Sequence, residues 1–222
     1  MKIHPQFPPS RLTDPLRRAE RDIYQSVEAS PIPGRALYEV KVTRHAKQVD
    51  ILLWAEAVAV FGAQLKGGVF VIRDGELCLV TDQGPVPMPG LLAAVWDSVM
   101  AVPRFIEGKL GRGMYIVPVL GLPDMERDEA ILDLATRRQV EVVFGKQDWV
   151  GRLVDLASCH PIRHRPTAAT IEQEVMAVMP ELGPAATPAS PQVVIHRVDN
   201  LHLHVGPEGV ETLGIPDLTA EG

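Results

Sequence analysis

Apolar residues in the first half of the chain fall into short blocks separated by turn-forming residues. The blocks are rich in Val, Ile, Leu and Phe, which favours β-strands over helices. A tight turn at Asp74-Gly75 separates the last two blocks, and we expect antiparallel hairpins. The predicted strands are 36–43, 48–54, 57–65, 69–73 and 77–81.

A helical spacing of apolar residues precedes these strands. From Pro15 to Glu28, the positions Leu16, Ala19, Ile23 and Val27 share one helical face, which predicts an amphipathic helix. Further helices are predicted at 91–106, 124–138 and 148–157, and a loop at Pro85 to Pro89.

Two uninterrupted apolar runs, 114–120 and 140–144, alternate with the last two helices. Strand, helix, strand, helix at this spacing predicts a parallel unit with a right-handed crossover. The first 160 residues therefore predict an α/β domain: a mixed sheet, antiparallel at first and parallel later, with helices on both faces.

The organisation of the chain follows from its prolines and turns. We expect a loose N-terminus at 1–11, one domain at 12–160 and a proline-rich linker at 161–191. A small β element closes the chain at 192–222, with predicted strands at 192–198, 201–205 and 210–213.

Composition is compatible with a packed core, since 46% of the residues are hydrophobic and the mean hydropathy is +0.06. No apolar run reaches the roughly 18 residues that span a bilayer, and the N-terminus has no apolar signal region. The two cysteines, Cys78 and Cys159, match no metal-binding spacing. We therefore expect a soluble, cytoplasmic protein without a membrane partner.

Charge is distributed unevenly along the chain, whose formal net charge is −6. Residues 1–113 contain 14 Lys and Arg against 12 Asp and Glu, whereas residues 114–222 contain 8 against 16. The net charge argues against tight constitutive binding of nucleic acid. Any surface for a polyanion is therefore expected in the first half, and the acidic second half offers a surface to a protein partner.

Polar residues interrupt two of the predicted strands near their ends. Asp50 lies early in one strand, and Gln64-Leu65-Lys66 ends the next, directly before Gly67-Gly68. Adjacent hairpin strands can bring Asp50 and Gln64 to one end of the sheet, and residues two apart share a face. Glu20, on the first helix, can approach from the side. A carboxylate suits a hard cation such as Mg²⁺, and a nearby lysine can orient an attacking water.

This order of elements and residues resembles the nuclease-related (NERD) branch of the PD-(D/E)XK nucleases, over roughly residues 12–157. Its hallmark is an Asp followed about a dozen residues later by Glu-x-Lys and a glycine. The resemblance implies a restriction-endonuclease-like fold and a Mg²⁺- or Mn²⁺-dependent endonuclease acting on DNA. It also implies Asp50 and Gln64 as metal ligands, Lys66 at the water and Glu20 as helical support.

The sequence departs from the family pattern at Gln64, where a glutamate is usual. An amide oxygen can ligate a metal but adds no charge, although Mrr-type restriction nucleases, which this motif also resembles, include Gln-x-Lys variants. A second register is open at Glu39-Val40-Lys41, with Asp14 or Asp22 upstream, and Glu56 could supply the missing carboxylate.

Three functions follow from these observations: a metal-dependent nuclease, a non-catalytic NERD-like module that binds nucleic acid or a protein, and a purely structural interaction protein. If DNA is bound, the basic excess of the first half points to a set of contact residues. These are Arg17, Arg18, Arg21, Arg44 and Lys47, together with Lys66.

Overall fold

The computed structural model describes residues 1–4, 14, 17–41, 48–55, 59–111, 115–159, 204–206 and 209–211. The chain divides into two compact units, residues 1–184 and 185–222. The first unit contains the predicted α/β domain, and the second contains a short hairpin.

Four helices form in the first unit. The first, α1, begins later than predicted, and Ala19, Ile23 and Val27 are buried as their spacing predicted. Tyr24 is buried as well, and Leu16 lies outside the described residues. The third is shorter than predicted, because Asp128 caps its start by accepting a hydrogen bond from the Ile131 N–H. The helices are α1 (Arg18–Ala29), α2 (Leu91–Leu110), α3 (Glu129–Thr136) and α4 (Trp149–Cys159).

The described strands of the first unit number nine and form two sheets. Their bounds are β1 (Lys2–His4), β2 (Gly34–Lys41), β3 (Gln48–Ala55), β4 (Ala59–Leu65), β5 (Phe70–Arg73), β6 (Glu76–Thr81), β7 (Gly84–Pro87), β8 (Ile116–Leu122) and β9 (Glu141–Phe144). The predicted strands therefore form close to their expected limits. Residues 2–4, expected within a loose terminus, instead pair with β2 in parallel.

The central sheet is mixed and has the strand order β1-β2-β3-β4-β8-β9. Strands β2, β3 and β4 form an antiparallel meander, and β8 and β9 add to it in parallel. The prediction of a mixed sheet with a parallel extension is confirmed. Since β8 runs parallel to β4, both strands end at the same edge of the sheet, where β3 begins.

Helices cover both faces of this sheet. The apolar sides of α1 and α4 pack on one face, against Ile51, Leu53 and Phe61 among others. Helix α2 packs on the other face, where Val99 and Ile106 contact a cluster that includes Leu52. Continuous burial of β3 and β8, rather than alternation, follows from this double cover.

The hairpins after Gly68 form a separate sheet of three strands, β5-β6-β7, and do not extend the central one. Residues 85–87, predicted as part of a loop, belong to β7 (Gly84–Pro87). Proline is tolerated there because β7 lies at an edge, where an outward-facing N–H is not needed. Phe70 and Leu77 pack with α3 and the start of α2 in a third cluster.

The second unit contains an antiparallel hairpin of β10 (His204–Gly206) and β11 (Gly209–Glu211). It falls at the predicted turn between 206 and 209, whereas the predicted strand at 192–198 lies outside the described residues. Over the described part of the chain, no helix combines the length and apolar character needed to cross a membrane.

Candidate active site

Strands β3 and β4 separate at the end of the central sheet where β3 begins. Their last pair is Ile51 with Ala63, and one step further the Asp50 carboxylate takes the place of a backbone acceptor. The Leu65 N–H donates to Asp50 Oδ2 at 2.7 Å. On its other side β4 stays paired with β8, and the Lys66 N–H donates to the Gly121 carbonyl at 2.9 Å. Asp50 therefore lies in the gap between two diverging strands.

The backbone next to Asp50 is irregular. Val49 and Leu52 contact the cluster on the α2 face, whereas Ile51 belongs to the α1 face, so strict alternation fails around Asp50. On β2, Glu39 lies between two register pairs and has a φ of 54°. A positive φ is uncommon for a residue with a side chain. The rule that residues two apart share a face of the sheet therefore does not hold around Asp50, and it does not predict the face on which Asp50 lies.

Burial controls the ionisation of Asp50, which is only 8% exposed. Desolvation raises the pKa of Asp50 to about 6, against the lowering effect of the Leu65 hydrogen bond. The negative charge of Glu20 raises this pKa further, and the positive charges of Lys66 and Arg17 lower it. The four charged groups thus share one electrostatic environment.

Glu20 is held in place by two protein groups. Its Oε2 accepts a hydrogen bond of 2.6 Å from the Tyr38 hydroxyl on β2, and its Oε1 accepts one from the Arg17 guanidinium. Tyr38 belongs to the core on the α1 face, so it fixes the side from which Glu20 approaches the sheet.

Gln64 does not join this group. It pairs in register with Leu120 of β8, whose side chain packs with α2 residues, so Gln64 faces the α2 side. Its amide Nε2 donates to the Gln48 carbonyl. Lys66 follows directly after β4 and makes no ion pair with any residue that the structure describes. Glu20 and Lys66 are thus near enough to Asp50 for their charges to act on its pKa, whereas the Gln64 amide nitrogen is turned to the backbone.

Asp124 is a residue of this edge that the sequence reading missed. It follows β8, and its carboxylate accepts hydrogen bonds from the Gly68 N–H at 2.9 Å and from Arg18 at 3.0 Å. It thereby joins the start of α1 to the turn after Lys66. Its position just beyond the carboxyl end of a buried parallel strand was a usable signal, because sites in α/β folds gather at such ends.

Three of the arginines proposed to contact DNA lie in the described part of the chain, and each has an acidic neighbour. Arg17 binds Glu20, Arg18 binds Asp124 at 3.0 Å, and Arg21 lies 3.7 Å from an oxygen of Asp22. Their charge is therefore partly neutralised within the protein. The remaining predicted contacts Arg44 and Lys47, and the candidate carboxylate Glu56, lie outside the described residues.

The alternative register at Glu39-Val40-Lys41 gains no comparable environment. Val40 is buried, Glu39 has the irregular backbone described above, and upstream Asp22 forms an ion pair of 3.0 Å with Lys146. More generally, no three His, Cys, Asp or Glu side chains in the described part of the chain converge as a metal site of that size would require. Any cation at this edge would rely on Asp50, Glu20 and water.

Comparisons of this chain with protein-family models, with curated protein sequences and with solved structures give no match. The site is therefore interpreted from its own residues and geometry.

Proposed function

We propose that this chain is a metal-dependent nuclease of the PD-(D/E)XK superfamily, of the NERD type, that hydrolyses phosphodiester bonds of DNA in the cytoplasm. The observation that carries the proposal is the buried Asp50 carboxylate between the diverging ends of β3 and β4, with Glu20 and Lys66 in its electrostatic environment.

The order of the elements supports the same proposal. Helix α1 is followed by the meander β2-β3-β4, then by α2 and by β8, which pairs with β4 in parallel. This is the order that the resemblance to a restriction-endonuclease-like fold implies. The three-stranded sheet β5-β6-β7 follows the Lys66 turn and is separate from the central sheet.

The donor set at this edge fits a weakly held Mg²⁺ or Mn²⁺. Such ions take one or two carboxylates together with water, and Asp50 and Glu20 are the two that the fold brings near each other. Asp50 Oδ2 already accepts the Leu65 N–H, which fixes the carboxylate's orientation. Gln64 could coordinate such an ion only through its amide oxygen. When bound, the cation would stabilise negative charge on the phosphate.

The residues of the chain then have separate roles. Asp50, desolvated in its gap, is a fixed anion whose charge a bound cation would favour over the protonated form. Lys66 is placed to orient and help deprotonate an attacking water, and its charge also favours the ionised form of Asp50. Glu20 would be the second carboxylate of the cation site, supported from the helix, and Tyr38 and Arg17 both hold it in place.

A second candidate, a non-catalytic NERD-like module, is favoured by one specific observation. The position that usually supplies a second acidic ligand is Gln64, and its amide is used to bind the Gln48 carbonyl. In that case the edge binds nucleic acid without cleaving it, or the acid-rich residues 114–222 bind a protein partner. Metal binding and cleavage separate this candidate from the first.

Gln64→Glu tests the metal site. A glutamate cannot donate to the Gln48 carbonyl, so its carboxylate is released to turn toward a cation held by Asp50, which binds the neighbouring Leu65 N–H. We therefore expect Mn²⁺ and Mg²⁺ to bind at least tenfold more tightly in isothermal titration. Without metal the variant should be less stable by about 1 kcal/mol, because it loses the donor to the Gln48 carbonyl. Glu76→Gln, at an exposed turn, is the control. Equally negligible binding in the wild type and in Gln64→Glu would contradict a metal site here.

Salt dependence tests DNA binding. Arg44 and Lys47 belong to the segment that joins β2 to β3, and Lys66 directly follows β4. Loss of Arg44 and Lys47 together should weaken binding and flatten the slope of log K against log salt by about 1 to 2, since each phosphate contact releases counterions. Arg137→Ala with Arg138→Ala, exposed residues at the end of α3, should leave the slope unchanged. Fluorescence anisotropy with duplex DNA measures both, and a salt-independent interaction would point to a protein partner.

A further inference from the structure

The outer edge of the central sheet is formed by β9, whose only described strand neighbour is β8. The Gly145 N–H donates to the Leu122 carbonyl of β8 at 3.0 Å. Because backbone groups alternate sides along a strand, Val143 and Glu141 also point to β8, and Val142 and Phe144 point outward. The Phe144 carbonyl accepts from the Arg152 guanidinium of α4, which agrees with this orientation.

The outward N–H groups of Val142 and Phe144 have no hydrogen-bond partner among the described residues, nor has the Val142 carbonyl. The side chains of the same two residues are each only 5% exposed. An edge that combines buried side chains with unpaired backbone groups is a template for another strand. Edge strands are often protected from pairing by proline or lysine. The sequence of β9, Glu141-Val142-Val143-Phe144, contains neither.

A cavity of about 690 Å³ runs beside this edge. Met125 and Leu132 line it from the α3 side, and Arg152, Asp155 and Leu156 line it from α4. Its surface is mainly apolar, and its volume is in the range of ligand-sized sites. None of these residues is among the charged neighbours of Asp50, so the cavity is separate from the candidate active site.

We propose that this cavity, the β9 slot, binds an extended peptide segment of a partner protein, which pairs with β9 as a seventh strand. Only an extended backbone supplies acceptors and donors at the two-residue spacing of Val142 and Phe144. The apolar walls select apolar side chains at alternate positions of the peptide. Charge complementarity places an acidic peptide residue beside Arg152, whose exposed guanidinium has N–H groups beyond the one that binds the Phe144 carbonyl. The same residue must lie away from Glu126 and Asp155, which also line the slot.

The shape of the slot also selects its occupant. A second copy of this chain would have to insert its own β9 into the slot. That strand is flanked by α3 and α4 of its own copy, and these helices would collide with the walls of the slot. A segment without such walls enters the recess, as strand-addition ligands do. The slot therefore fits a tail or an extended loop of a different protein.

The test begins with a phage-displayed library of random linear nine-residue peptides, selected on the full-length protein. We expect enriched sequences with alternating apolar residues and an acidic position. In the ¹⁵N spectrum, a synthetic enriched peptide should shift the amides of Val142 and Phe144 strongly and that of Val143 weakly. N-methylation of the peptide amides that face β9 should weaken binding at least tenfold.

Two variants sharpen the result. Val142→Pro removes an outward N–H and leaves the β8 ladder intact, so it should lower affinity at least tenfold. Arg152→Glu should weaken the acidic peptide and favour a matched peptide in which lysine replaces the acid. If Val142→Pro does not fold, the N-methylated peptides decide alone. The proposal is overturned if no sequence is enriched, if N-methylation has no effect, or if sedimentation shows a dimer that Arg152→Glu dissociates, which would make a second copy the occupant.

Discussion

Asp50→Ala should abolish the proposed metal-dependent cleavage of plasmid DNA, because it removes the buried carboxylate that the strand ends hold in place. Lys66→Ala should lower the cleavage rate by about 10²- to 10⁴-fold, the usual contribution of a positioned acid–base or electrostatic group. Metal binding should persist in Lys66→Ala, since an ammonium group is not a ligand. A nicking assay with Mg²⁺ or Mn²⁺, combined with a metal titration, measures both effects.

Glu76→Ala is the matched control for these variants, because its carboxylate is exposed at the β5–β6 turn. Loss of activity in Glu39→Ala with Lys41→Ala, but not in Asp50→Ala, would establish the alternative register. That double variant cannot serve as a neutral control, since Glu39 has a positive φ beside Asp50. A wild-type protein that binds DNA but cleaves none at any metal concentration would establish the non-catalytic module.

Asp50→Asn should make the protein more stable at pH 7.5 by about 2 to 3 kcal/mol. The pKa of Asp50 is raised by burial to about 6 in the folded state, from 3.8 for a free side chain. Between these values the folded protein retains a proton that the unfolded chain has released. Stability therefore falls as pH rises from about 4 to about 6, at about 1.4 kcal/mol for each unit of pKa difference. Asparagine carries no charge and can still accept the Leu65 N–H.

Urea unfolding at pH 4 and pH 7.5 measures this effect. At pH 4 the two proteins should have nearly equal stability, because Asp50 is protonated in the folded wild type. Mn²⁺ should reduce the difference in unfolding free energy between the two proteins at pH 7.5, since a cation that binds only the folded wild type stabilises it. An Asp50→Asn variant that is less stable than wild type at pH 7.5 would show that the carboxylate is ionised and favourably paired. Glu76→Gln should show no pH-dependent difference.

The cleavage assay on Asp50→Ala and the stability measurement on Asp50→Asn report different properties of the site. Cleavage responds to the whole constellation of Asp50, Lys66 and metal, whereas the pH dependence of stability responds to the burial of one carboxylate. A buried, inactive Asp50 would give the stability result without the cleavage result. That combination would mark a nuclease-like fold retained for binding, and it would leave the β9 slot unaffected, because the slot shares no residue with this edge.

The sequence by itself determined the elements and their order. Burial of Ala19, Ile23 and Val27 on α1 followed from their spacing, and the uninterrupted apolar runs of β8 and β9 correctly indicated strands covered on both sides. These features are local, because a helix or strand needs only a pattern of apolar residues at its own period. The polar residues Asp50, Glu20 and Lys66 were also visible, as interruptions or ends of those patterns.

Tertiary structure alone decided how these residues meet. The irregularity at Glu39 and Asp50 arises where β3 separates from β4, so period-two counting gave no valid face for Asp50. Gln64 turned to the Gln48 carbonyl because its strand stays paired with β8 while β3 departs. β7 formed despite its prolines because it took an edge position. Asp124 lies 58 residues after Lys66 in the chain, yet the two are near each other because the parallel strands β4 and β8 end at the same end of the sheet. Such contacts depend on which strands pair, and pairing is a property of the whole sheet.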